Sequence, residues 1–273
     1  MKIVKYLIPY VLISSFNYYF AKEAISSASP IVFNLIRYLI STAIFLSLSK
    51  KVIFNKDIIQ LAIYTTASSL LWAYGLLYVT PAESAVLSYT MPLFSIPIAF
   101  LVLSENPTLI EIFGVIIGFS GVILYGLPLI HGFTLFGSII TIINAVFWAT
   151  FSVYYRKLRE YNPLVINSSQ FAIGSIILAL LMPIDYKVDL NEQFAYGIAY
   201  TSIPGGALSF FLWNMMVKIE KISRVTVLSF SVPILTTLVE YILYRTPPLL
   251  IQVIGIILMF IGILFSRIRS LLK

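Results

Sequence analysis

Ten apolar runs of about twenty residues, separated only by short charged or proline-bearing breaks, leave this chain one class of fold. They lie near 3–20, 30–49, 58–79, 83–103, 108–127, 133–154, 163–183, 194–216, 223–244 and 248–266. A helix of that length crosses about 30 Å of hydrocarbon, and ten of them use roughly 200 residues. The 273-residue chain then has only loops left over, with no room for an extramembrane domain of about 50 residues or more. Most soluble-enzyme readings fall at this point. The first run, Ile3 to Phe20, has no small-residue cleavage site after it and continues into Lys22 and Glu23, so it is expected to remain as a span.

Charge sets the orientation. The net charge of +7 is carried by short clusters between apolar runs rather than along one amphipathic face, which fits membrane topology and not nucleic acid. With the N-terminus inside, the inner breaks hold fourteen Lys and Arg, among them Lys50, Lys51, Arg156, Lys157 and Arg159. The outer breaks hold three, Lys22, Lys187 and Arg245. That bias places both termini in the cytoplasm of a multi-pass protein of the cell membrane.

The chain also matches itself. At an offset of 141, Trp72 meets Trp213, Val86-Leu87-Ser88 meets Val227-Leu228-Ser229, Pro92 meets Pro233, Gly114 meets Gly255 and Gly121 meets Gly262. The first two spans align near an offset of 133, where Pro30, Val32 and Asn34 meet Pro163, Val165 and Asn167. An insertion of about eight residues around Asp185 to Gln193 accounts for the change. The expected fold is therefore an all-α membrane protein of ten transmembrane helices in two five-helix repeats, residues 1–130 and 131–273. Five is odd, so the second copy enters the membrane from the opposite side. Inverted repeats of this kind serve alternating access, because exchanging the two conformations gives inward-open and outward-open states.

From Trp72 to Gly126 the chain resembles the drug/metabolite transporter superfamily, in its ten-helix EamA-type branch. The stretch reads W-A-Y-G-L-L-Y-V-T-P-A-E-S-A-V-L-S-Y-T-M-P-L-F, then L-S-E-N-P, then G-V-I-I-G-F-S-G-V-I-L-Y-G. The residues that carry the resemblance are Tyr78, Ala85, Pro92, Leu93, Glu105, Gly114 and Gly121, with Pro233, Gly255 and Gly262 in the second copy. The second copy departs at Arg245-Thr246, where the counterpart of Glu105 would fall, so a turn or interfacial role is expected for Glu105. The resemblance implies transport of amino acids, other metabolites or drugs.

Polar and aromatic side chains inside spans mark the candidate solute site, since an unpaired amide in hydrocarbon costs several kcal/mol. These are Asn17, Trp72, Ser88, Asn144, Trp148, Trp213, Asn214 and Ser229. Trp72 and Trp213 would flank the solute from the two halves. Pro92 and Pro233, which remove backbone donors at matched places, are the expected hinges. Tyr6, Tyr10 and Tyr186 read as interfacial anchors, and His131 as a solvated loop residue. The glycines read as sites of close helix packing, within the chain or at the face of a homodimer.

Aromatic walls with few amides suit a neutral, zwitterionic or moderately apolar solute. A polyanion would want Arg or Lys at mid-depth, and the runs show none there. Arg37 lies about 10 Å below the start of its span. With Glu83 and Glu240 it forms a candidate outer gate, alongside the alternative that it snorkels to lipid headgroups. No catalytic set, metal set, nucleotide-binding loop or cofactor is expected. The partners are a small-molecule solute and the lipid bilayer. A membrane-embedded enzyme and a channel stand as alternatives, the first lacking a nucleophile or paired carboxylates and the second a filter motif.

Overall fold

The computed structural model describes residues 3–128, 134–245 and 247–271. Among them the regular elements are helical: α1 (Val4–Ser27), α2 (Pro30–Ser49), α3 (Lys56–Tyr78), α4 (Pro81–Ser88), α5 (Met91–Leu103), α6 (Leu109–Gly126) and α7 (Leu135–Lys157). After these come α8 (Pro163–Leu181), α9 (Glu192–Ser202), α10 (Ser209–Ile219), α11 (Ile222–Leu228), α12 (Ser231–Tyr244) and α13 (Leu250–Leu271). A π-helical turn, Ile203–Leu208, joins α9 to α10.

Helix starts follow local chemistry. Ser29, Asn55, Thr134, Asn162 and Asn191 each accept a backbone N–H from the first turn of the helix they precede. Thr80 with Glu83, and Thr108 with Glu111, form reciprocal capping boxes at α4 and α6. Pro30, Pro81 and Pro163 stand in the first turn, where a missing N–H costs nothing.

Among the described residues, five segments are long and apolar enough to cross a membrane: Pro30–Ser49, Pro81–Leu103, Leu109–Gly126, Leu135–Lys157 and Pro163–Ile184. Ile222–Thr236 and Leu250–Ser266 are shorter apolar helices. Three apolar runs expected to be continuous are interrupted: 83–103 between α4 and α5, 194–216 by the π turn, and 223–244 between α11 and α12. The first run is longer than its apolar stretch, since α1 continues past Lys22 to Ser27.

The distribution of side chains is that of a protein solvated by lipid. Leu101, Leu135 and Leu180 are among many large apolar side chains left exposed, while Ser15, Asn34, Thr65, Thr141, Ser152, Asn167 and Thr201 are fully buried or nearly so. The buried hydroxyls mostly bond the carbonyl one turn back, as Ser15 does to Val11, Thr65 to Leu61, Thr141 to Gly137 and Thr201 to Gly197. This satisfies them without water.

The main helix contacts pair α6 with α13, α3 with α7, α2 with α8, and α1 with α9 and α10. The α6–α13 contact runs backbone to backbone. A Cβ placed on Gly114 would lie 2.9 Å from the Gly262 carbonyl oxygen, and one on Gly121 would lie 2.5 Å from that of Gly255. The reverse substitutions meet the same partners at 2.6 Å. The glycines thus serve close packing, and these faces are used within the chain instead of being offered to a second copy. Gly121→Val should lower thermal stability in detergent by about 1–3 kcal/mol, the usual cost of overpacking. Leu101→Ala, which removes an exposed side chain on α5, should leave it within about 0.5 kcal/mol. Equal unfolding midpoints for the two variants would contradict this packing.

Candidate solute-binding site

Where three helical runs are interrupted, a cavity of about 100 Å³ opens between them. Ser88 ends α4, and Tyr89 and Met91 follow it into the cavity wall; Ser229 lies in the break between α11 and α12. Pro92 and Pro233 cannot donate to the carbonyls of Ser88 and Ser229 four residues earlier, and the helix is interrupted at just those residues. Tight-turn bonds replace the regular ladder, Thr90 N–H to the Leu87 carbonyl and Phe230 N–H to that of Val227, both 3.2 Å. Each proline therefore sits in the first turn of the helix after the break, not in the middle of a kinked helix.

The remaining wall comes from α1, α2, α3, α7, the π turn and α10. Tyr10, Ser14, Asn17 and Tyr18 share the inner face of α1. Asn17 fits because Gly205 in the π turn has no side chain: a Cβ there would lie 1.9 Å from Asn17 Oδ1. That oxygen is buried and has no partner among the described residues. Asn144 on α7 spans the floor, accepting from Ser68 Oγ on α3 at 2.7 Å and donating to Ser88 Oγ at 3.4 Å. Trp72 meets Tyr18 edge-on at 5.7 Å, and Trp148 meets Phe210 edge-on at 5.1 Å.

The profile of the EamA-like transporter family matches residues 1–127 and 135–268. The chain belongs to the EamA-like transporter family. It is 48% identical over 239 residues to an uncharacterized transporter of Acidianus ambivalens, covering 87% of this chain and 94% of that one. An uncharacterized transporter of Archaeoglobus fulgidus is 24% identical over 89% of this chain and 90% of its own length. A riboflavin transporter of Brucella anthropi is 27% identical over 54% of this chain and 48% of its own. A crystal structure superimposes with a TM-score of 0.83 over 100% of this chain and 99% of the other, at 17% identity, which shows a shared fold. The protein is thus a multi-pass membrane transporter of the drug/metabolite transporter superfamily.

Of the residues singled out by sequence in this EamA-like transporter, Asn17, Trp72, Ser88, Asn144, Trp148 and Ser229 line the cavity. Trp213 and Asn214 stand behind its wall. Trp213 is fully buried, donates to Ser152 Oγ at 3.0 Å and packs against Tyr10 and Trp148, while Asn214 donates to Asn167 Oδ1 at 2.8 Å. Tyr10, expected at an interface, is instead buried in the wall, because α1 turns this face inward. The spacing of Tyr10, Ser14, Asn17 and Tyr18 as one helical face was the available signal for it.

Arg37 also lines the cavity, contrary to the expectation that no cation reaches it. Its Nε donates to the Thr201 carbonyl and its Nη1 to Asn34 Oδ1, each at 2.9 Å. Glu83 is not brought to it, since that carboxylate accepts the Thr80 N–H at 2.7 Å in the α4 capping box. The Glu240 side chain and His131 lie outside the described residues.

Contacts tie the helices together at both ends of the bundle. At the end carrying the α1–α2 turn, Lys22 donates to the Leu76 and Val79 carbonyls at the end of α3. The inserted segment there pairs with that turn, through Ser29 N–H to the Lys187 carbonyl at 2.8 Å and Asp189 N–H to that of Ser27 at 2.7 Å. At the opposite end Arg156 donates to the Val217 carbonyl at the end of α10 and pairs with Glu105. Glu105 also accepts the Ile222 N–H that opens α11, and Arg224 pairs with Glu111 at 2.7 Å.

Trp148 and Trp213 now separate site from scaffold. Trp148→Ala should reduce solute transport at least about tenfold with little loss of stability, as removal of a cavity wall does. Trp213→Ala should cost about 3–5 kcal/mol of stability, measured by thermal unfolding in detergent. If Trp148→Ala lost only stability and kept its transport rate, Trp148 would belong to the scaffold.

Proposed function

We propose that this protein is a secondary transporter that moves small organic solutes, amino acids or related metabolites and drugs, across the cell membrane by alternating access. In this reading ten spans form two inverted five-helix repeats, residues 1–130 and 131–273, with both termini in the cytoplasm. The observation that carries it is reciprocity between the two halves. Gly114 contacts Gly262 and Gly121 contacts Gly255, so each of the two touches the repeat counterpart of the other. Two of the three breaks that border the cavity, after Ser88 and after Leu228, fall within one residue of the 141 offset. Lys22 on Leu76 and Arg156 on Val217 are matching clasps at opposite ends, since Leu76 and Val217 are also 141 apart. The family profile divides its two matches between 127 and 135, close to the proposed boundary.

In this reading a metabolite reaches the cavity, about 100 Å³, when one end opens and the helices at the breaks move apart. Alternating access follows if the two clasps release in turn, because a contact made in one state alone biases the equilibrium toward that state. Once the solute is enclosed, the aromatic walls hold its body and Asn17 Oδ1 accepts a donor from it.

The chain has no cysteine, so introduced thiols report cleanly. Thiols at Lys50 and Arg159 should label only from the cytoplasm and one at Tyr186 only from outside; opposite labelling would remove the inverted arrangement. Arg156→Gln should increase labelling of a cavity cysteine at Ser88 from the cytoplasmic side, and Lys22→Gln from the outer side. Transport itself is tested in proteoliposomes preloaded with a mixture of amino acids and other metabolites. Exchange of an internal for an external solute at a rate abolished by Trp148→Ala supports the reading, and absence of exchange for every solute in the mixture counts against it.

A further inference from the structure

Arg37 places a full positive charge in the wall of a cavity where none of the ion pairs among the described residues neutralises it. It is only 3% exposed, which removes the option of snorkelling to headgroups. The guanidinium is held between the rings of Phe33, 5.0 Å away, and Trp72, 5.3 Å away. Two of its five N–H groups are used, on Thr201 and Asn34, so its orientation is fixed. Asn34 is itself pinned, donating to the Pro30 carbonyl at 2.9 Å and that of Ser69 at 3.2 Å. The remaining donors have no acceptor among the described residues.

The fold does not need this charge. Gln170, at the 133 offset from Arg37, donates to Asn167 Oδ1 at 2.8 Å, just as Arg37 donates to Asn34, and Asn34 and Asn167 are themselves 133 apart. The same bond between residues three apart on corresponding helices is thus made by a neutral amide in one half and a guanidinium in the other. Gln170 is fully buried and does not line the cavity; Arg37 does. A buried ion without a partner costs several kcal/mol, and a cost the neutral counterpart avoids is explained by a partner that arrives with the solute.

We propose that Arg37 is the receptor for a carboxylate on the transported solute, and that a single carboxylate is a required feature of the substrate. This rests on the transport reading and narrows it. The planar guanidinium matches a carboxylate in shape and supplies charge-assisted hydrogen bonds that a neutral isostere cannot use. One cation with no second Lys or Arg in the cavity wall fits one negative charge, and the rings of Trp72, Tyr18 and Trp148 fit an uncharged organic body. A multiply charged anion would leave its further charges facing those rings.

The test compares matched pairs on purified wild-type protein in detergent: acetate against acetamide, and phenylacetate against phenylacetamide, at constant ionic strength, with chloride, sulfate and phosphate as inorganic anions. Binding is read as saturable thermal stabilisation. The expected result is stabilisation by both carboxylates and not by their amides, with phenylacetate acting at lower concentration than acetate. Arg37→Gln should weaken the carboxylate effect about tenfold or more, the share of one charge-assisted bond. That variant copies what Gln170 already does in this fold, and Arg159→Gln in a loop should change nothing. Stabilisation by amides and carboxylates alike, by inorganic anions in preference to carboxylates, by neither carboxylate, or unchanged in Arg37→Gln would each overturn the assignment. Exchange in proteoliposomes confined to uncharged solutes would overturn it too while leaving transport intact. Carboxylate binding at Arg37 without any exchange would instead remove the transport reading.

Discussion

Hydrocarbon offers no hydrogen-bond partner, so a helix that crosses it can be interrupted only where protein or an enclosed polar space faces the freed backbone groups. The described structure follows from that constraint. Its uninterrupted helices, α1, α2, α3, α6, α7, α8 and α13, carry many of the apolar side chains exposed on the outside, such as Leu39, Phe113, Leu135, Leu180 and Phe260. The interruptions at Tyr89, at Pro204 and at Ser229 all border one cavity. There Asn144 donates to Ser88 Oγ, and Gly205 leaves room for the Asn17 side chain.

Sequence reasoning reaches this arrangement unevenly, for physical reasons. Apolar runs and matched prolines announce spans and breaks directly, because hydropathy and the missing proline N–H act locally. Glycine spacing announced close packing, and its partner helix could be read only from structure. Six of eight candidate solute residues line the cavity, and the two that do not, Trp213 and Asn214, lie one turn further along α10 from Ser209 and Phe210, which do. Periodicity places residues on a common face without saying which turn of that face reaches the cavity. Arg37 was seen as a charge within its span, but not as part of the cavity wall. Its depth along α2 was legible, whereas the inward rotation that aims it between Phe33 and Trp72 depends on packing against α9 and the π turn.

On the two-repeat reading, the places where the halves differ are as informative as those where they agree. Glu83 closes a capping box on α4; its counterpart at the 141 offset is Arg224, which cannot accept an N–H and instead pairs with Glu111 and Glu220. The start of α11 then lacks a cap of its own and takes one from Glu105, a residue of the other half. The family-type acidic residue at the end of the fourth span therefore serves the opposite repeat. It joins the α11 terminus to Arg156, and through Arg156 to the last carbonyls of α10. This explains why the second copy has no acidic counterpart. At the other end α4 is capped by its own Glu83, and a borrowed carboxylate would have nothing to hold.

The two closures accordingly differ in kind. One end is held by a lysine on carbonyls and by a short backbone pairing made by the inserted segment, contacts that salt affects little. The other is held by two ion pairs across the halves, Arg156 with Glu105 and Arg224 with Glu111, and by the α11 N-terminus on Glu105. Groups in one such network are coupled, so losing one member frees several others together. An end closed by a coupled network opens as a unit, and an end closed by independent bonds loosens bond by bond. On the proposed transport reading, near-symmetric repeats supply two states of similar energy, the asymmetric ends set which of them is favoured without solute, and Arg37, whose counterpart at the 133 offset is the neutral Gln170, is where an anionic solute would shift that balance.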